Sequence, residues 1–109
     1  MNTVEILKGA KELLVTKGWT QRTFARNDKG IPVHIGMKHT ATCFCGVGAL
    51  LHTAEAVDTL YYPAWAALDR AAGEHFPNFN DAEGRTLDEV LAVFDKAIAA
   101  EESSATDKE

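Results

Sequence analysis

Apolar residues recur with helical spacing at Ile6, Leu7, Ala10, Leu13 and Leu14, a single stripe that predicts an amphipathic first helix. Thr3 is the expected cap at its start, with Lys17 in the last turn and Gly18 as the stop. From Trp19 to Arg26 the chain turns to β-forming residues, followed by a turn at Asn27-Asp-Lys-Gly30 and the short arm Ile31-Pro-Val-His34. That order predicts a small hairpin or ordered extended insertion, with Pro32 keeping the second arm at an edge. Residues 36–40 read as a loop. From 41 to 54 the chain carries no formal charge and no polar face, so a central helix from about Thr42 to Glu55, capped by Thr40 or Thr42 and buried on all sides, is expected. Asp58 is the expected cap of a third helix with Tyr61, Trp65, Leu68 and Ala72 as its stripe and Pro63 near its start. Residues 76–84 read as an anchored, turn-rich loop. Thr86-Leu-Asp-Glu89 is a capping box opening a last helix whose buried face is Leu87, Val90, Leu91, Phe94 and Ile98.

The fold class that follows is mainly α: a four-helix single domain around a buried central helix, with a small β-hairpin or extended insertion after the first helix. The globular domain spans residues 1–102, and the polar, unpatterned residues 103–109 form a disordered tail. With 109 residues, one core suffices. Hydrophobic residues at 46% and charged residues at 25% are ordinary globular values. No apolar run approaches the roughly 18 residues of a membrane span. The opening Met-Asn-Thr-Val-Glu has an early acid and no long apolar run, so no secretory signal is expected and a cytoplasmic setting with reduced thiols follows.

Charge is divided unevenly. Residues 1–40 hold seven Lys/Arg and three Asp/Glu (+4), while residues 41–109 hold four and thirteen (−9), which sum to the net −5. The basic part is too sparse for a nucleic-acid surface; the plainer reading is a solvated dipolar surface.

Several constellations invite chemistry. The only serines are Ser103 and Ser104 in the tail, which leaves no Ser-His-Asp arrangement. Cys43, near the start of the central helix with His39 and His52 flanking it, is the single candidate nucleophile; a buried structural thiol is the plainer reading for both Cys43 and Cys45. His39-x3-Cys43-x-Cys45-x6-His52 has zinc-type ligands, but residues two apart on a helix point about 200° apart and no Cys-x2-Cys knuckle is present, so no metal and no cofactor are expected. Gly46-Val-Gly48 is expected to lack a preceding strand, and it lacks the third glycine and the P-loop lysine of a nucleotide loop; each glycine costs a helix interior roughly 1 kcal/mol, which close packing of a neighbour accounts for. His52 is read as a core histidine, and His34, His39 and His75 as residues of loops or element ends without an evident carboxylate partner. Arg85, directly before a helix start, calls for a nearby anion: Asp81 or Glu83 in the plainer reading, an external acidic ligand held with Gln21, Arg22 or Arg26 in the functional one. Trp19, Gln21, Arg22, Arg26, Asp81 and Arg85 are accordingly the candidate binding residues.

Gly18-Trp-Thr-Gln21 with Ala25-Arg26, Cys43-Phe-Cys-Gly-Val-Gly-Ala-Leu50, and Asn80-Asp-Ala-Glu-Gly-Arg-Thr86 followed by Glu89-Val90 together resemble a family of small uncharacterised proteins, a domain of unknown function from bacteria, especially actinobacteria, and their phages. The resemblance covers about Ile6 to Ile98. Relatives of this type often carry Trp where this chain has Phe79 and Gly where it has Arg22. The resemblance implies a fold and imports no mechanism.

The expectation for function is a non-enzymatic protein that acts by binding another macromolecule: a protein partner, not nucleic acid or a membrane. Small size, the lack of a convergent catalytic set, the charge division and the aromatic group Tyr61, Tyr62, Trp65, Phe76 and Phe79 point that way. The resemblance implies a special case, a phage-associated inhibitor of a host defence or regulatory system. The alternatives are a small cysteine-based enzyme, a binding domain for an acidic small molecule, and a homodimer whose central helix is completed by a second copy.

Overall fold

The computed structural model describes residues 2–34, 40–54 and 61–107. The expected cap at Asp58, the loop at 36–39 with His39, and Glu55 lie outside the described residues.

The first helix, α1 (Thr3–Thr16), starts one residue earlier than its apolar stripe suggests. Asn2, not Thr3, is the cap: its side chain accepts from the Glu5 amide at 2.8 Å and Glu5 Oε1 accepts from the Asn2 amide at 3.1 Å, a reciprocal pair that satisfies two otherwise orphaned donors. Ile6, Leu7, Ala10 and Leu14 are fully buried, and Leu13 packs at the margin. Gly18 takes φ 129°, a conformation strained for any side chain, and turns the chain into the extended region.

The stretch expected as one long central helix divides in two. Cys43–Phe44 is a strand, β2, paired antiparallel with β1 (Ala25–Arg26). Helix α2 begins only at Gly46 and ends at Thr53. Residues 42–45 are bonded on both sides: Thr42 and Cys45 amides donate to the Arg26 and Phe24 carbonyls at 2.8 and 3.0 Å, while Phe44 donates to the Gly18 carbonyl and accepts from the Thr20 amide at 3.0 and 2.9 Å. An uninterrupted apolar run is equally consistent with a buried strand and a buried helix, and here distant backbone partners decide for strand. Cys45, extended at φ −78° and ψ 171°, takes the cap position in place of Thr40 or Thr42, its Sγ accepting from the Gly48 amide at 3.2 Å.

The insertion after α1 is therefore not a self-contained hairpin. Its first arm pairs with β2, and its second arm meets it through the Arg26–Pro32 bridge and the Val33 amide bonded to the Ala25 carbonyl. The turn at Asn27 is as the sequence suggests: the Asn27 carboxamide oxygen accepts from the Lys29 and Ile31 amides, the side-chain-to-backbone device that asparagine brings to turns.

Helix α3 (Tyr61–Ala72) buries Ala64, Ala67 and Leu68, while Tyr61, Trp65 and Ala72 of the expected stripe pack only at the edge of the core. The expected loop after it contains a short helix, α4 (Phe76–Asp81), so the described residues hold five helices instead of four. Phe76 is completely buried and meets Phe94 edge-on at 5.9 Å. Helix α5 (Leu87–Asp107) opens on the expected box, with the Thr86 amide donating to Glu89 Oε1 at 2.9 Å and the Glu89 amide to Thr86 Oγ1 at 3.3 Å. It continues through the polar residues from Glu101, so the tail expected from residue 103 is helical as far as Asp107. Arg70 pairs with Glu101 at 2.8 Å and Lys8 with Glu102 at 3.1 Å across to α3 and α1; exposed pairs of this kind are worth at most about 1 kcal/mol each.

Helix α1 packs on α2 and α5, and α3 closes against α5. The radius of gyration, 13.2 Å, is that of a compact domain of this length. Both glycines of α2 are explained by close approach. A Cβ on Gly48 would lie 2.8 Å from the carbonyl carbon of Phe24, closer still to its oxygen, and one on Gly46 would lie 2.7 Å from Phe76 Cζ. The neighbour of Gly48 is backbone next to β1, fixed by the bond from the Cys45 amide to the Phe24 carbonyl. Gly48→Ala is expected to destabilise the domain by about 3 kcal/mol or more, as over-packing of a rigid site does; a urea midpoint unchanged from the wild type would show that the Phe24 backbone yields.

Candidate functional site

Four of the six candidate binding residues, Trp19, Gln21, Arg22 and Asp81, gather around one buried side chain outside that set. Asn80, in the last turn of α4, is 1% exposed. Its Oδ1 accepts from Trp19 Nε1 at 2.8 Å and from the Gly46 amide at 3.0 Å, and its Nδ2 donates to the Thr20 carbonyl at 3.2 Å and to Asp81 Oδ1 at 3.0 Å. One carboxamide thus joins the segment after α1, the first turn of α2 and the end of α4. Carboxamides combine two acceptor lone pairs with two donors, and all of that capacity is used. A flagging signal was present, since Asn80 directly follows apolar Phe79 and lies four residues before the helix-breaking Gly84, but nothing local says that it is buried.

Around this amide the candidate residues divide by what they hold. Gln21 donates from Nε2 to the Asn80 and Ala82 carbonyls at 2.9 and 3.0 Å, satisfying the end of α4. Asp81 Oδ1 accepts from the Arg22 amide at 2.8 Å. Arg22 itself sits at φ 68°, a left-handed conformation that costs a side-chain-bearing residue roughly 1–2 kcal/mol and is held by that bond. Arg26 is spent within its own turn: Nε donates to Thr20 Oγ1, Nη1 to the Gly30 carbonyl and Nη2 to the Gln21 carbonyl.

Arg85 lies apart from that group. Its Nε donates to the Phe79 carbonyl at 2.8 Å, its guanidinium carbon lies 3.7 Å above the Phe79 ring, and Nη1 pairs with Glu89 at 3.1 Å. The anion that accounts for Arg85 is Glu89, one turn into α5, not Asp81 or Glu83. The Thr86 amide and hydroxyl, and then Arg85, hold the Glu89 carboxyl below the usual carboxylate range. Because that pKa is depressed in the folded protein, the contribution is present above the ordinary carboxylate range and is lost as pH falls through the lowered value.

The thiols are placed differently from the sequence expectation. Cys43 lies in β2, ahead of the helix instead of in its first turn, and is half-buried. Cys45 is buried, and burial pushes its thiol up to about 11, so it stays protonated at neutral pH. In extended backbone, side chains two apart share a face, so the helical objection to a shared metal ion does not apply. Among the described residues, however, no three His, Cys, Asp or Glu side chains are gathered as a metal site. His52 packs on the Phe44 ring at 4.8 Å. His75, expected to lack an acidic neighbour, has Nδ1 3.9 Å from Asp69 Oδ2 and stacks on Trp65.

Beside Asn80 the same elements leave an open cleft of about 380 Å³, lined by Arg22, Phe24, Cys45, Val47, Pro77 and Asp81 among others. Phe24 is 47% exposed there. Its carbonyl is pinned against Gly48 and bonded to the Cys45 amide, so the ring is presented from a rigid backbone.

The profile of a family of unknown function (DUF6197) matches residues 1–100. The chain belongs to that family. No curated protein and no solved structure matches it. No helix among the described residues is long and apolar enough to cross a membrane.

Two expectations follow from the site. Asn80→Ala strands Trp19 Nε1, the Gly46 amide and the Thr20 carbonyl and should cost about 3 kcal/mol. Asn80→Asp keeps the acceptor that Trp19 and Gly46 share but aims a carboxylate oxygen at the Thr20 carbonyl and Asp81; it should be destabilised comparably at neutral pH, and urea denaturation showing either variant at wild-type stability removes Asn80 from its central place. For the thiols, maleimide at pH 7 should leave Cys45 unmodified in the folded protein, its reactivity rising only as pH approaches about 11. Rapid neutral-pH labelling of Cys45 in native protein, read by peptide mass mapping, would contradict its burial.

Proposed function

We propose that the protein acts without catalysis, as a binding protein that engages a protein partner through the face carrying the cleft. The observation that carries this reading is the cleft itself: an apolar concavity with a half-exposed phenylalanine on a stiffened backbone, the form in which anchor residues of interfaces are received. The polar residues around it support the frame and have few groups left for chemistry. Cys45 is held protonated and Cys43 lies outside the helix start, which takes support from a cysteine-based enzyme. Arg26 and Arg85 are committed internally, which takes support from a multidentate site for an acidic small molecule.

The narrower form of the proposal places the protein in the cytoplasm as a phage-associated inhibitor of a host defence or regulatory system. Occlusion needs affinity and no reaction, and a domain of this size supplies one interface face.

The test is affinity capture with the wild type, Phe24→Asp, and Val15→Asp as a control, Val15 being exposed on α1 and outside the cleft lining. A specific partner should be retained by Val15→Asp and lost by Phe24→Asp, with affinity lowered about 30-fold or more as at an interface anchor. Equal retention by both variants refutes the cleft as the interface.

A further inference from the structure

The cleft is not chemically uniform, and its two polar groups differ in what they still offer. Arg22 donates its backbone amide to Asp81 Oδ1, and no hydrogen bond or ion pair engages its guanidinium among the described residues. Its backbone is held in a left-handed conformation where glycine would sit without strain, yet a long cationic side chain occupies the place and lines the cleft. Asp81 has both of its bonds on Oδ1, from the Arg22 amide and from Asn80 Nδ2, leaving Oδ2 as an acceptor. Phe24, Val47 and Pro77 supply the apolar part of the same lining. A cation, a single acceptor and an apolar wall within about 380 Å³ match the three features of one residue at a chain end: a carboxylate, an amide N–H and an apolar side chain. An internal peptide segment has no carboxylate on the same residue as that side chain.

We propose that the cleft binds the C-terminal residue of a protein partner, an apolar one, with its terminal carboxylate on Arg22, its amide N–H on Asp81 and its side chain against Phe24, Val47 and Pro77. This rests on the reading of the protein as a partner-binding domain and names the chemistry of that partner. Capture of a terminal carboxylate is a recurrent mode of peptide recognition, and here a fork-shaped guanidinium supplies the donors.

The experiment is a titration of 15N-labelled full-length protein with N-acetyl-leucine and, separately, N-acetyl-leucinamide, followed by amide chemical shifts. The carboxylate probe should shift the amides of residues 22–24, 47–48 and 80–81 and bind about fivefold more tightly than the amide, the preference that one exposed ion pair confers. Arg22→Gln should erase the preference while Arg22→Lys keeps most of it. Absence of cleft shifts with either probe, or equal affinity of the two for the wild type, overturns the inference. Acetyl-Leu-Asp-amide binding as tightly as N-acetyl-leucine overturns the chain terminus in favour of an internal acidic residue. Loss of partner capture by Phe24→Asp without any cleft shift from N-acetyl-leucine overturns this inference and leaves partner binding standing. Cleft shifts alongside capture that Phe24→Asp does not affect do the reverse.

Discussion

The Asn80 carboxamide is the constraint on which the rest of the structure depends. Its four hydrogen bonds reach the Trp19 indole, the Gly46 amide, the Thr20 carbonyl and Asp81, so that three elements far apart in sequence share one buried polar group. A buried amide without partners is costly, and a fully satisfied one resists any rearrangement that would break a bond without replacing it. Apolar packing of Phe76 against Phe94 and of α1 against α2 makes the domain cohere. The amide determines how the α4 end, the α2 start and the extended segment are aligned, because dispersion contacts are non-directional and hydrogen bonds are not.

That alignment sets the distance between the Phe24 backbone and α2. With the Phe24 carbonyl against Gly48 and its oxygen accepting from the Cys45 amide, there is room for no side chain at position 48. The two glycines that would weaken an isolated helix are what allow neighbours to lie directly on it, the Phe24 backbone at Gly48 and the Phe76 ring at Gly46. The same close approach turns the Phe24 ring outward and leaves the cleft between the 22–24 segment, α2 and α4. The cleft is thus a by-product of the frame, and the residues that build the frame are largely not the ones available to a partner. Gln21, Arg26 and Arg85 close carbonyls of turns and helix ends; the Arg22 guanidinium and the Phe24 ring remain.

Much of the helical scaffold was legible in the sequence, and for local reasons. The stripe of Ile6, Leu7, Ala10 and Leu14 defines the buried face of α1, and Thr86 with Glu89 marks the start of α5. Both signals involve residues three or four apart, whose spacing is the same in any context. The Asn27 turn belongs to the same class. The errors lie where the local signal is degenerate. The run from Thr42 to Cys45 is as apolar as α2 itself, and periodicity does not separate a buried strand from a buried helix. The loop signals at Pro77, Asn78 and Gly84 hid a single helical turn and a half, which its buried Phe76 anchors.

What the sequence determined by itself is a mainly helical single core, its principal faces and the Thr86 capping box, together with the segments around 19–26 and 80–85 as the places where polar residues gather. Only the tertiary structure decided what those polar residues do. Trp19 and Asn80 are 61 positions apart and Gly46 and Asn80 are 34 apart; no local spacing encodes such pairs. Whether an arginine faces a carbonyl of its own chain or open solvent depends on which backbone groups folding leaves unsatisfied nearby, and that is known only when distant segments have met.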